Sequence, residues 1–153
     1  PISLDVGTSS LDIAVEFVPN GGDCGVVVAA SPAQEEMLEV RYEAHSQKIL
    51  IRKHGESPDV TGKPVLEAAH PLAAGEALRL RILLDGSIVE VIGNERTSLS
   101  TRFYPTSADS TQIRAFGESA QLRSLDAWEM TSVFGIHTPE DRAEAGYAPM
   151  TKG

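Results

Sequence analysis

This 153-residue chain has one cysteine, so no internal disulfide can form. Cys24 heads the apolar run Cys24-Gly25-Val26-Val27-Val28, which reads as a strand, and a buried, inert thiol is expected there rather than a nucleophile. Aromatic residues are scarce, at 5% of the chain, which leaves few rings for a stacking platform. Positive charge is in deficit as well: 13 Lys and Arg against 22 Asp and Glu give a net charge of −9. That balance disfavours nucleic acid and anionic membranes, since both need a basic patch. It remains compatible with a neutral ligand such as a sugar, or with a protein partner. No run approaches the ~18 apolar residues that a membrane-spanning helix needs.

Catalytic and metal-binding patterns are also missing. His45, His54, His70 and His137 are scattered, and no pair has metal-ligand spacing. There is no Gly-x-Ser-x-Gly, no phosphate loop and no GxGxxG, and no serine stands in an activating motif. No cofactor and no metal are therefore expected. The acid pairs Glu35-Glu36 and Glu140-Asp141 read as a solvated loop and the first turn of a helix.

What the chain does have is alternation. Leu11, Ile13, Val15 and Phe17 alternate with Asp12, Ala14 and Glu16, the pattern of a strand with one buried face. Further strands are expected over Gly25 to Ala30, Leu38 to Tyr42, Lys48 to Lys53, Thr111 to Phe116 and Gln121 to Phe134. Gly55 to Pro64 is polar and rich in breakers, so it reads as a loop. Thirteen glycines and nine prolines punctuate these short runs. The spacing predicts an all-β fold: a two-sheet antiparallel β-sandwich, jelly-roll or lectin-like, with about ten to twelve strands. Residues 1–134 form the sandwich module. The tail, 135–153, loses the alternation; Thr138-Pro139-Glu140-Asp141 has the signals of a helix start and admits a short helix over Pro139 to Ala145. Pro1 leads directly into strand-like sequence, so a piece of a longer polypeptide is expected.

The clearest local pattern is Leu78 to Pro105. Leu78 to Leu84 alternates, Asp85-Gly86 makes a two-residue hairpin turn of type I′, and strands from Ser87 and over Thr97 to Tyr104 follow. With that turn Leu84 faces Ser87, Ile82 faces Val89 and Leu80 faces Val91, which makes one apolar face. On the other face Leu83 meets Ile88, Arg81 meets Glu90 and Arg79 meets Ile92. This second face mixes aliphatic side chains with an Arg–Glu pair. Either it is solvated, with a cross-strand pair contributing ~0–1 kcal/mol, or a second domain covers it.

Several segments resemble the C-terminal β-sandwich module of glycoside hydrolase family 32, the invertases, levanases and inulinases. They are Leu78-Arg79-Leu80-Arg81, Asp85-Gly86-Ser87-Ile88-Val89-Glu90-Val91, Asn94, Arg96-Thr97, Thr101-Arg102-Phe103-Tyr104-Pro105 and Ser124-Leu125-Asp126-Ala127-Trp128-Glu129-Met130. The resemblance covers most of Ile2 to Phe134. Ile92-Gly93 departs from it, since the family often has an aromatic and a small residue there.

The resemblance implies a two-domain parent, in which an N-terminal five-bladed propeller carries a carboxylate nucleophile and a carboxylic acid donor for retaining cleavage of fructosyl units. The propeller's Asn-Asp-Pro-Asn-Gly, Arg-Asp-Pro and Glu-Cys motifs are absent; at Val18-Pro19-Asn20-Gly21, Val18 stands where the nucleophilic Asp would be needed. No catalytic residue is assigned, and no release of fructose from sucrose, inulin or levan is expected of this chain alone.

Two roles follow. In the first, the module packs on the propeller through Arg79, Arg81, Leu83, Ile88, Glu90 and Ile92 and stabilises it. In the second, it is a carbohydrate-binding module that holds fructan or sucrose on Tyr104 and Trp128, although large aromatics in a sandwich of this size are more often core.

Overall fold

The computed structural model describes residues 3–55 and 64–130. The expected tail over 135–153, its helix over Pro139 to Ala145 and the end of the last extended segment lie outside the described residues. So do most of the loop from Gly55 to Pro64 and His137.

Eleven strands form two antiparallel sheets, and the described residues contain no helix. They are β1 (Ser3–Asp5), β2 (Ser10–Val18), β3 (Cys24–Ala30), β4 (Met37–Glu43), β5 (Lys48–His54), β6 (Val65–Ala69), β7 (Leu78–Asp85), β8 (Ile88–Gly93), β9 (Thr97–Arg102), β10 (Gln112–Gly117) and β11 (Gln121–Glu129). One sheet has six strands in the order β1-β10-β3-β4-β5-β6; the other has five, β11-β2-β7-β8-β9. β6 has no counterpart among the expected strands. Its five residues, Val-Leu-Glu-Ala-Ala, are too short and too rich in alanine to stand out by alternation.

The alternating positions fill the space between the sheets. Ile13, Phe17, Leu78 and Ile82 from one sheet meet Val26, Leu38, Val40 and Ile51 from the other, all nearly inaccessible to water. Each such side chain contributes about 1.5–3 kcal/mol relative to exposure. Cys24 is 0% exposed in this core, and burial foremost pushes its thiol up to about 12, so it is no thiolate at neutral pH. Neighbours in sequence pair along β3-β4-β5-β6 and β7-β8-β9, as expected. Long-range pairing closes the sandwich: β2 lies between β7 and β11, and β10 between β1 and β3.

The β7–β8 hairpin differs from the expected register by two residues. Leu84 faces Val89 rather than Ser87, Ile82 faces Val91 rather than Val89, and Leu83 faces Glu90 rather than Ile88. Arg81 stands opposite Ile92, not Glu90. The strand runs through Asp85, and the turn is Gly86-Ser87. Gly86 takes φ +61° while Ser87 keeps a negative φ, the pattern of a type II′ turn with glycine first. Long-range pairing explains the extension. Asp85 is a ladder partner of Ser10 on β2, and the Ser10 hydroxyl donates to Asp85 Oδ1 at 3.2 Å. Because strands repeat every two residues, a shift of two changes every partner but leaves every side chain on its expected face. The type I′ geometry occurs one turn later instead. Asn94 and Glu95 both have positive φ, +47° and +59°, and the Arg96 N–H donates to the Gly93 carbonyl at 3.0 Å.

Candidate functional site

The outer face of the five-stranded sheet gathers all six residues expected at an interface. Arg79, Arg81 and Leu83 come from β7; Ile88, Glu90 and Ile92 come from β8. Ladder pairing arranges the face in rows. One row is Trp128, Asp12, Leu83, Glu90 and Ser100; the next is Asp126, Ala14, Arg81, Ile92 and Ser98. Ile88 is 43% exposed, and Leu83 and Ile92 are half-buried.

The charges pair differently from the expectation. Arg81 reaches across to Asp12 on β2, with Nε to Oδ1 at 2.8 Å and Nη2 to Oδ2 at 2.5 Å. The hydrogen bonds to this carboxylate raise the Arg81 pKa against the opposing effect of burial. Arg79 lies 3.7 Å from Glu95, and Arg123 lies 3.2 Å from Glu16. Glu90 is half-buried and has no cation or hydrogen-bond donor among the described residues. Its neighbours are Leu83 and Ser100 across the two ladders and Ile88 and Ile92 on its own strand. Beside it, a hollow of about 330 Å³ opens where Ala14 offers only a methyl group. Glu16, Arg79, Arg81, Ile92 and Glu95 stand around it.

Trp128 and Tyr104 are not brought together. Trp128 is half-buried on edge strand β11, opposite Asp12, on the same outer face. Tyr104 follows Phe103 beyond the end of β9, at the other edge of the sheet. Four strand spacings separate β11 from β9, roughly 19 Å, so the two rings cannot share one sugar ring. Neither is a fully buried core residue; that place belongs to Phe103, at 2% exposure.

Two polar clusters escape the sequence reading. Glu36, expected in solvent, is 4% exposed. Its carboxylate accepts from the Thr106 N–H at 2.9 Å, the Thr106 hydroxyl at 2.6 Å, the Ser107 N–H at 3.0 Å and the Ser110 hydroxyl. Burial alone would raise its pKa, but these hydrogen bonds outweigh it and hold the group down at about 2. The pair thereby ties the β3–β4 loop to the segment after β9.

The second cluster centres on His70, which is 0% exposed. Asn94 Oδ1 accepts from the Arg79 N–H at 3.1 Å, and its amide donates to the Ala77 carbonyl at 2.8 Å, which sets the orientation of the amide. His70 Nε2, 2.9 Å from that oxygen, must therefore carry a proton. Nδ1 lies 2.7 Å from the Thr97 hydroxyl. Serine, histidine and acid spacing offered no signal for either cluster, because the side chains of His70 and Glu36 lie 24 to 74 residues from the groups they meet. No group of three or more His, Cys, Asp or Glu side chains suited to a metal exists among the described residues.

Comparison with known proteins places this architecture. The family model described as "Glycosyl hydrolases family 32 C terminal" matches residues 2–129. An acid beta-fructofuranosidase 4, vacuolar, of Arabidopsis thaliana is 37% identical over 87 residues, which cover 53% of this chain and 13% of that protein. The exo-inulinase of Aspergillus awamori superposes with a TM-score of 0.73 at 21% identity, covering 86% of this chain and 27% of that one. A galectin of Caenorhabditis elegans shares the fold with a TM-score of 0.64 at 10% identity, over 84% of this chain and 91% of its own. The chain thus spans about an eighth of the curated relative's length, and it belongs to the C-terminal β-sandwich family of the family 32 glycoside hydrolases.

Proposed function

We propose that this chain is the non-catalytic module of an enzyme acting on fructosides such as sucrose, inulin or levan, by hydrolysis or fructosyl transfer. In this reading it stabilises an N-terminal catalytic propeller by packing the outer face of β2, β7 and β8 against it. The observation that carries the reading is the patch around Glu90. Leu83, Ile88 and Ile92 keep apolar surface toward solvent there and flank on three sides a carboxylate with no cation among the described residues. A solvated face gains little from three aliphatic side chains, whereas an apolar centre with one polar anchor is the usual anatomy of an interface. The placement of Tyr104 and Trp128 at opposite edges weakens the alternative of a shared fructan platform.

The test is Ile88→Glu and Glu90→Ala, each followed by thermal unfolding in this chain alone and in the enzyme that contains it. Each change is expected to cost under about 0.5 kcal/mol in the chain alone. In the enzyme, Ile88→Glu should cost about 2 kcal/mol or more, since it buries a charge at the contact. Equal small losses in both proteins would put this face in water and move the contact elsewhere.

A further inference from the structure

A second hollow, of about 260 Å³, lies at one end of the sandwich. Three connections converge on it: the β2–β3 turn with Pro19 and Asn20, the β4–β5 turn with Gln47, and the β6–β7 connection with Leu72 and Glu76. These connections come from both sheets, and each is tied down. Asn20 Nδ2 donates to the Ser119 carbonyl at 3.1 Å, the His70 N–H donates to the Gln47 carbonyl at 2.8 Å, and Arg96 clamps Glu76 at 2.7 and 3.1 Å. A rigid scaffold that presents several loops at one point is the usual setting of a binding site.

Tyr42 at the wall of this hollow points to a ligand. Its side chain is directed into the core from β4, the residue is 3% exposed, and its ring meets His70 edge-on at 6.4 Å. Yet its hydroxyl has no hydrogen-bond partner among the described residues. Nor is that hydroxyl sealed off, because no fully enclosed side-chain polar atom lacks a partner among them. A phenol this deeply buried normally finds a partner. Here it is left an opening on the hollow instead. Burial foremost, with nearby negative charge, raises its pKa, so it stays a neutral donor and acceptor.

The remaining wall defines the ligand class. Asn20 Oδ1 and the Gln47 side-chain amide have no protein partner among the described residues. Glu76 is ionised at neutral pH, its pKa held at about 2 chiefly by Arg96 and the Ala73 N–H. No Lys or Arg side chain lines the hollow, and the nearby Arg96 guanidinium is already engaged by Glu76, so an anion finds no free cation among the lining residues. Pro19 and Leu72 supply apolar surface for C–H groups. The volume falls just below the ~300–1,000 Å³ of drug-sized sites, room for one small ring.

We propose that the Tyr42 hollow binds a single neutral polyhydroxylated ring, a sugar unit, with Tyr42, Asn20 and Gln47 as its hydrogen-bonding groups. None of the six docking-face residues lines this hollow.

The test is a two-dimensional NMR titration of the 153-residue chain with fructose and with sucrose, with inorganic phosphate as the anionic control. The backbone amides of Asn20, Gly21, Gln47 and Gly75 should shift with either sugar and not with phosphate. Tyr42→Phe removes only the hydroxyl and should weaken binding about tenfold. Ala73→Trp, which fills the mouth, should abolish binding while leaving the remaining spectrum folded. No shift at 100 mM sugar would overturn the proposal. So would shifts confined to Trp128, or Tyr42→Phe binding as tightly as the unaltered chain.

Discussion

The guanidinium of Arg81 is held by Asp12 on β2, 69 residues away in sequence, and not by Glu90 on the neighbouring strand. The Asp12 side chain is 8% exposed and the Arg81 side chain 49%. The pair is therefore neither fully buried nor fully solvated, and its removal is asymmetric.

Arg81→Ala is expected to cost about 1–2 kcal/mol, because it leaves the Asp12 carboxylate largely out of water without its donors. A double-mutant cycle by chemical denaturation should show coupling of about 1 kcal/mol between Arg81 and Asp12, and almost none between Arg81 and Glu90. Strong coupling between Arg81 and Glu90 would restore the register in which those two face each other.

Glu36 makes stability depend on acid. Its folded-state pKa, about 2, lies below the ordinary value of 4.5. Its contribution is thus fully present above pH 4.5 and is lost as the pH falls from there through about 2. The amount is on the order of 2–3 kcal/mol for a carboxylate this buried. Denaturant midpoints measured between pH 6 and pH 2.5 should fall in the unaltered chain. Glu36→Gln should start lower at pH 6 and fall less, and an unchanged slope in that variant would assign the acid lability to other carboxylates.

Gly25 and Gly93 are required by close approach, not by φ. A Cβ on Gly93 would overlap the Ile49 Cδ1 methyl and come within 3.0 Å of His70 Cε1. On Gly25 it would overlap the backbone carbonyl oxygen of Val40. A methyl group can rotate away, whereas a carbonyl inside a ladder cannot. Gly93→Ala should therefore cost about 1–3 kcal/mol and Gly25→Ala more, in thermal unfolding. Equal, negligible losses would mean that the sheets can part locally without penalty.

The two hairpin turns show where local reading reaches its limit. Asp85-Gly86 and Gly86-Ser87 are both acceptable two-residue turns from sequence, and nothing between Leu78 and Val91 decides between them. The choice came from β2, through Ser10 and Asp85. Glu36 was misread for a related reason. A glutamate in a loop looks solvated until Thr106, Ser107 and Ser110, seventy residues on, fold over it. The hollow at Tyr42 was equally invisible, since its walls come from three connections that meet only when both sheets close.

The sequence by itself determined the all-β class, the family and the sides of β2, β7 and β8 that face inward. Those properties rest on a period of two and on local composition, which every stretch of the chain carries independently. Only the tertiary structure decided which residue pairs with which: Arg81 with Asp12, Glu36 with Ser110, His70 with Asn94. Pairing depends on strand order and register, and the long-range neighbours that set them leave no trace in any single window of sequence.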